Sequence, residues 1–186
     1  DPQEGGDATG DFTIHAIDFQ HVPSSQNLMP ATDVGAADVT TLPGSGQAQL
    51  ASSSPNSTEQ QLSPNVFQLH FDLTGAGAFA ELFVDYNPSN DGSSVDLSGL
   101  SQIVFGLDSD KAKRVKIEIE DASGKRATYY AQNVDVSRNY YKFLTSLAAG
   151  SVDLAQVTSL HVSVDANSVS AGDEIGDLQF EIGGLV

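Results

Sequence analysis

Residues 115–130 read VKIEIEDASGKRATYY. Val115, Ile117 and Ile119 alternate with Lys116, Glu118 and Glu120, the period of a strand with one buried face and one wet face. Ala122-Ser123-Gly124 interrupts the alternation, and the stretch around it reads as strand, tight turn, strand. Neighbouring residues on a strand face opposite ways, so one of Tyr129 and Tyr130 points into the core and the other outward. With Asp121 paired to Arg126, Tyr130 lies opposite Ile117 and is buried, while Tyr129 lies opposite Glu118 on the outer face.

The same period recurs on both sides of this hairpin. Phe67, Leu69, Phe71 and Leu73 alternate with Gln68, His70 and Asp72. Ile103, Phe105 and Leu107 follow the rule, as do Leu160, Val162 and Val164 against His161, Ser163 and Asp165. Leu178, Phe180 and Ile182 alternate with Gln179 and Glu181. Turn chemistry at 74–77, 90–92 and 122–124 separates the runs. Many short strands with Gly- and Asp-rich turns define an all-β class, an antiparallel β-sandwich or barrel. Phe12–Phe19 (FTIHAIDF) suits a first strand, and residues 1–11 (DPQEGGDATGD) suit an acidic, Gly-rich linker or disordered terminus ahead of a domain over 12–186. Residues 21–65 are rich in Ser, Pro, Gln and Asn; the expectation is a segment draped over a sheet or broken by short strands near 33–42 and 47–51. Only 143–157 hints at helix, and Gly150 interrupts it, which leaves one or two turns.

The chain has 186 residues, a formal charge of −17 and a pI near 4.1. A phosphate-binding surface needs clustered Lys and Arg, and eight basic residues in so acidic a chain argue against nucleic acid and against an anionic membrane surface. No apolar run approaches the roughly 20 residues of a membrane-spanning helix. Without cysteine there are no disulfides, no thiolate nucleophile and no thiolate metal site. Asp outnumbers Glu 18 to 7, which suits turns and oxygen-rich calcium loops as well as plain solubility. The chain contains no HExxH, no GxxxxGK[ST], no GxSxG and no strand-linked GxGxxG.

An outward Tyr129 beside Lys116, Glu118, His161 and Asp165 makes a platform on which a sugar ring stacks while polar neighbours take its hydroxyls. The same residues also describe an ordinary solvated sheet.

The order of phrases from Phe67 to Phe180 resembles the jelly-roll, galactose-binding-like carbohydrate-binding modules attached to secreted glycoside hydrolases. FQLHFDLTGAGAFAELFVDY resembles the family's apolar strand pair, and Val95-Asp96-Leu97-Ser98-Gly99 its lead into a strand. VKIEIEDASGKRATYY is similar to its hairpin, Asn139-Tyr140-Tyr141-Lys142-Phe143 occupies the place of its aromatic segment, and Glu174–Phe180 is similar to its closing strand. Ile17-Asp18-Phe19-Gln20 is similar to its opening strand.

The resemblance implies a jelly roll and a non-catalytic module of a secreted or cell-surface modular protein. Such a module binds polysaccharide on a sheet face, is monomeric and has neighbouring domains. It also implies a structural Ca2+ shared by Asp18 and Asp177. The family pattern has acids where this chain has Gly176 and Gln20, and a Trp where this chain has none. The alternative expectation is a structural spacer or adhesion module of a large surface protein, calcium-stabilised and without a glycan site. An enzyme of the lyase or hydrolase kind ranks last, because the sequence shows no constellation of basic residues or positioned carboxylates.

Overall fold

The computed structural model describes residues 25–35, 39–42, 46–144 and 152–185. The expected linker over 1–11, the expected strand Phe12–Phe19, and Asp18 lie outside the described residues.

Among the described residues, twelve strands form two sheets. The first sheet holds β1 (Ser25–Leu28), β9 (Arg126–Gln132), β8 (Arg114–Asp121), β11 (Val157–Asp165), β6 (Phe79–Asp85) and β3 (Gln47–Ser52), in that spatial order. The second holds β10 (Asn139–Leu144), β7 (Gln102–Ser109), β12 (Ile175–Leu185), β5 (Val66–Asp72) and β4 (Thr58–Ser63), with β2 (Thr40–Thr41) also on β12. Among the described residues every pairing is antiparallel except β1 on β9.

The alternating apolar sets meet between the sheets. Phe67, Leu69 and Phe71 of β5 and Leu178, Phe180 and Ile182 of β12 are buried from one side. Ile117, Ile119, Leu160, Val162, Leu82 and Val84 are buried from the other. The rings of Phe67 and Phe180 stack with centroids 5.1 Å apart. Each buried Phe or Leu stabilises the sandwich by about 1.5–3 kcal/mol relative to leaving it in water.

The hairpin after β8 differs from its expected register by one residue. Glu120 pairs with Arg126 and Ile117 with Tyr129. Gly124 N–H donates to Asp121 C=O, Asp121 N–H donates to Lys125 C=O, and Gly124 has φ +77°. This is a loop of three residues in which Gly124 takes the left-handed step of a bulged turn. A one-residue slip inverts every side chain of a strand. Tyr129 is therefore in the core, its hydroxyl pushed up to about 12 by burial, and Tyr130 faces outward.

Asp121 fixes the turn. Its carboxylate accepts from Ser123 N–H and Oγ, Lys125 N–H and Asp153 N–H. Burial pushes this carboxyl up, but the hydrogen bonds together outweigh it and hold it at about 2.

Two other expectations change. Of the strand expected near 33–42, Thr40–Thr41 is strand among the described residues, and TEQQLS (58–63), which shows no apolar alternation, is β4. Every residue of β4 is exposed, so backbone pairing with β5 holds it rather than a buried face. Of the expected helical turns, a single 3-10 turn at Leu154–Gln156 is described, capped by Asp153 accepting from Ala155 N–H.

Candidate functional site

The outer face of the first sheet is built in rows by strand register. One row runs Thr128, Glu118, His161, Phe83, Gln49; the next runs Tyr130, Lys116, Ser163, Glu81, Ala51; a third runs Arg126, Glu120, Ser159, Asp85, Gln47. Their alternation partners are Ile117, Ile119, Leu82, Val84, Leu160 and Val162, which anchor the strands in the core.

His161 sits at the centre and is 6% exposed. Its Nδ1 lies 3.0 Å from Glu81 Oε1, its Nε2 lies 2.8 Å from Ser159 Oγ, and Glu120 Oε2 stands 3.6 Å from Nε2. The ring stacks beside Phe83, with centroids 5.3 Å apart and planes 20° apart. Glu118, 5% exposed, accepts from Thr128 Oγ1 at 2.9 Å and pairs with Lys116 Nζ at 2.8 Å and Arg126 Nη1 at 3.4 Å. Burial pushes the Glu118 carboxyl up, but Lys116, Thr128 and Arg126 together hold it below the ordinary range. Arg126 also holds Glu120, through Nε at 2.7 Å and Nη2 at 2.6 Å. A cavity of ≈ 400 Å³ opens beside this cluster, lined by Glu81, Phe83, Asp85, Asn87, Ser159 and His161 among others. Along β6 the outward set is Phe79, Glu81, Phe83 and Asp85, with Phe79 43% exposed. The two Phe are four residues, or about 13 Å, apart, a span longer than one sugar ring.

Of the residues expected to form the platform, Glu118, Lys116 and His161 come together here. Tyr129 does not, because the three-residue turn rotates it inward. Tyr130 takes its outward place, but the Arg114 guanidinium covers its ring at 3.8 Å. Asp165 turns onto its own loop, where its carboxylate accepts from Asn167 N–H, so it caps a turn instead of facing the cluster. Sequence reading missed Glu81 and Phe83. The signal was present in FAELFVD, residues 79–85, but both alternating sets of that strand are apolar enough to serve as the buried one.

Of the expected calcium pair, Asp177 is described. It lies on the opposite sheet, where His70 Nδ1 stands 3.0 Å from its Oδ1 and Gln68 Nε2 3.4 Å. Asp18 lies outside the described residues, and among the described residues no group of three His, Asp or Glu side chains able to hold a metal ion occurs.

Part of the outer face of the second sheet is covered by its own side chains, beside an open depression of ≈ 210 Å³ lined by Asp108, Asp110, Asp177 and Gln179 among others. Arg138 bonds Asp108 at 2.6 Å and Gln179 at 3.2 Å and reaches Glu181 at 3.5 Å. Tyr140, 9% exposed, lies over Gly106, where a Cβ would stand 2.9 Å from the ring. Tyr141, its neighbour, points inward and donates its hydroxyl to Gln132 C=O, as alternation requires.

Two antiparallel-dominated sheets packed face to face make this a jelly-roll β-sandwich. Among solved structures, the chain is similar to PfGH50B, with a TM-score of 0.52 and 11% identity, over 75% of this chain and 23% of that one. It is also similar to the family 11 carbohydrate-binding module of the cellulosomal cellulase Lic26A-Cel5E of Clostridium thermocellum, with a TM-score of 0.48, 16% identity and coverage of 75% and 89%. TmCBM61, solved in complex with β-1,4-galactotriose, follows with a TM-score of 0.42, 10% identity and coverage of 76% and 90%. No family model matches the chain, and no curated protein matches it.

Proposed function

We propose that the chain is a carbohydrate-binding module of a longer, extracellular or cell-surface protein, binding polysaccharide as a monomer across the outer face of the first sheet. The observation that carries this reading is the half-buried Phe83 ring beside His161, set in a polar face with a cavity of ≈ 400 Å³ at its edge. An aromatic face supplies the apolar contact a pyranose needs, and orienting polar groups supply specificity. Glu81, Glu118, Glu120 and Lys116 offer acceptors and a donor for hydroxyl groups. Exposed Phe79 extends the apolar track along β6.

Affinity gel electrophoresis against soluble β-glucans, xylans, mannans, galactans and uronans tests the reading. Retardation by one polymer, lost in Phe83→Ala, supports it. Unchanged mobility across the panel overturns it in favour of the spacer or adhesion module. The internal pairing of Arg126 with Glu118 and Glu120 favours that second reading, since the face satisfies its own charges.

A further inference from the structure

We propose that the same face carries a nucleophilic-serine site for short, neutral acyl esters, such as acetyl groups on glycan hydroxyls. In it Ser159 attacks, His161 accepts its proton and Glu81 positions the imidazole.

Ser159 and His161 are two residues apart on β11, so strand geometry turns both outward, and Glu81 comes from the neighbouring strand β6. Ser159 Oγ lies 2.8 Å from His161 Nε2, and Glu81 Oε1 lies 3.0 Å from Nδ1. A carboxylate only accepts, so Nδ1 carries the hydrogen. With Nδ1 as the only protonated nitrogen, the imidazole presents its Nε2 lone pair to the serine hydroxyl, the order of roles that activates a serine. The pairing of β11 with β8 slips between Val157 and Ser159, which places a bulge at Thr158, directly before the nucleophile. All three side chains line the ≈ 400 Å³ cavity, so a small ester reaches them.

The Ser159 Oγ–acyl bond forms as the hydroxyl proton passes to Nε2. The tetrahedral oxyanion collapses, the acyl–alkoxy bond breaks, and the leaving alcohol takes the proton from Nε2. Water then attacks the acyl-serine, giving one proton to Nε2. Ser159 leaves with that proton, and the acid is released. Ester and water become acid and alcohol, with no redox partner.

Glu81 and Glu120 flank the imidazolium formed between these steps and stabilise it. Donors in the same cavity are Arg126 and the Asn87 amide, whose oxygen is held by Asp91 and Gly92 N–H groups. Glu81, Asp85 and Glu120 around the cavity repel an anionic acyl group, which sets the neutral substrate class.

The test treats the full chain with a fluorophosphonate probe and, separately, with p-nitrophenyl acetate. The expected result is one adduct on the Ser159 peptide, and acetate release that rises with pH through a single deprotonation. Release falls by at least about 100-fold in Ser159→Ala. Glu81→Gln lowers kcat with KM retained, and Glu81→Asp restores part of it, a split that loss of folding does not produce. No adduct, an adduct on another serine, or release that survives Ser159→Ala overturns the proposal. The labelling uses the unmutated chain, so its outcome does not rest on a variant folding. Neither probe is a sugar, so the result stands apart from glycan binding.

Discussion

The two outer faces of the sandwich use the same residue types to opposite ends. On the second sheet, Arg138 ties Asp108, Gln179 and Glu181 together, and Tyr140 fills the space that Gly106 leaves. On the first, Arg126 ties Glu118 and Glu120, and His161 joins Ser159 to Glu81, and the depression beside Phe83 is ≈ 400 Å³, against ≈ 210 Å³ beside Gln179 on the second. Both faces pair their charges, so the difference between the two faces lies elsewhere. What differs is where the aromatic ring goes. Tyr140 lies down on its own sheet, whereas Phe83 borders open space.

The strongest way to break this contrast is to lift the cover. Gly106→Val forces a Cβ into the Tyr140 ring and should cost about 3 kcal/mol of stability, read by denaturant midpoint at unchanged slope. Glycan affinity of the folded fraction should stay the same; an affinity loss would mean that the second face is the binding one. Next in size, Phe83→Ala should weaken binding by about 2 kcal/mol, roughly 30-fold, by isothermal titration, while Tyr140→Ala leaves affinity within about twofold. The reverse pattern would exchange the roles of the two faces.

Acid sharpens the comparison further. The Glu118 carboxyl is held below its ordinary range in the folded chain, so its contribution to stability is complete above about pH 4.3 and is lost as pH falls through its lowered value. Asp121 behaves likewise: its contribution is complete above about pH 4 and lost as pH falls toward about 2. Glu118→Gln should therefore flatten the acid limb of a melting-temperature series, and an unaltered slope would remove Glu118 from the account. The smallest effect is expected at Tyr130. Tyr130→Leu forfeits the stack under Arg114, about 0.5 kcal/mol, and leaves glycan binding unchanged because that ring is already covered.

Much of this contrast is legible in the sequence. Alternation in β5, β8, β11 and β12 marks their buried sets, and it places Glu118, Lys116 and His161 outward on neighbouring strands. Alternation says nothing about which residue stands across from which. The β8–β9 register rests on a turn whose length depends on one glycine at positive φ, and an error of one residue exchanged Tyr129 for Tyr130. In β6, both alternating sets contain apolar residues, so period alone did not choose Phe83 and Glu81 as the outward ones. In β4, strand formation comes from hydrogen bonds lent by β5, a partner that local sequence does not announce.

The three-residue turn at 122–124 acts on β9 much as a reading frame acts on a message. Adding or removing one residue there would leave the strand's composition untouched and exchange its two faces. Ala127, Tyr129 and Ala131 would go to solvent, and Arg126, Thr128 and Tyr130 would go inward. Two relatives of this sandwich could therefore carry the same β9 letters and display different surfaces. Loop length, more than substitution, would then be the coordinate along which such surfaces diversify.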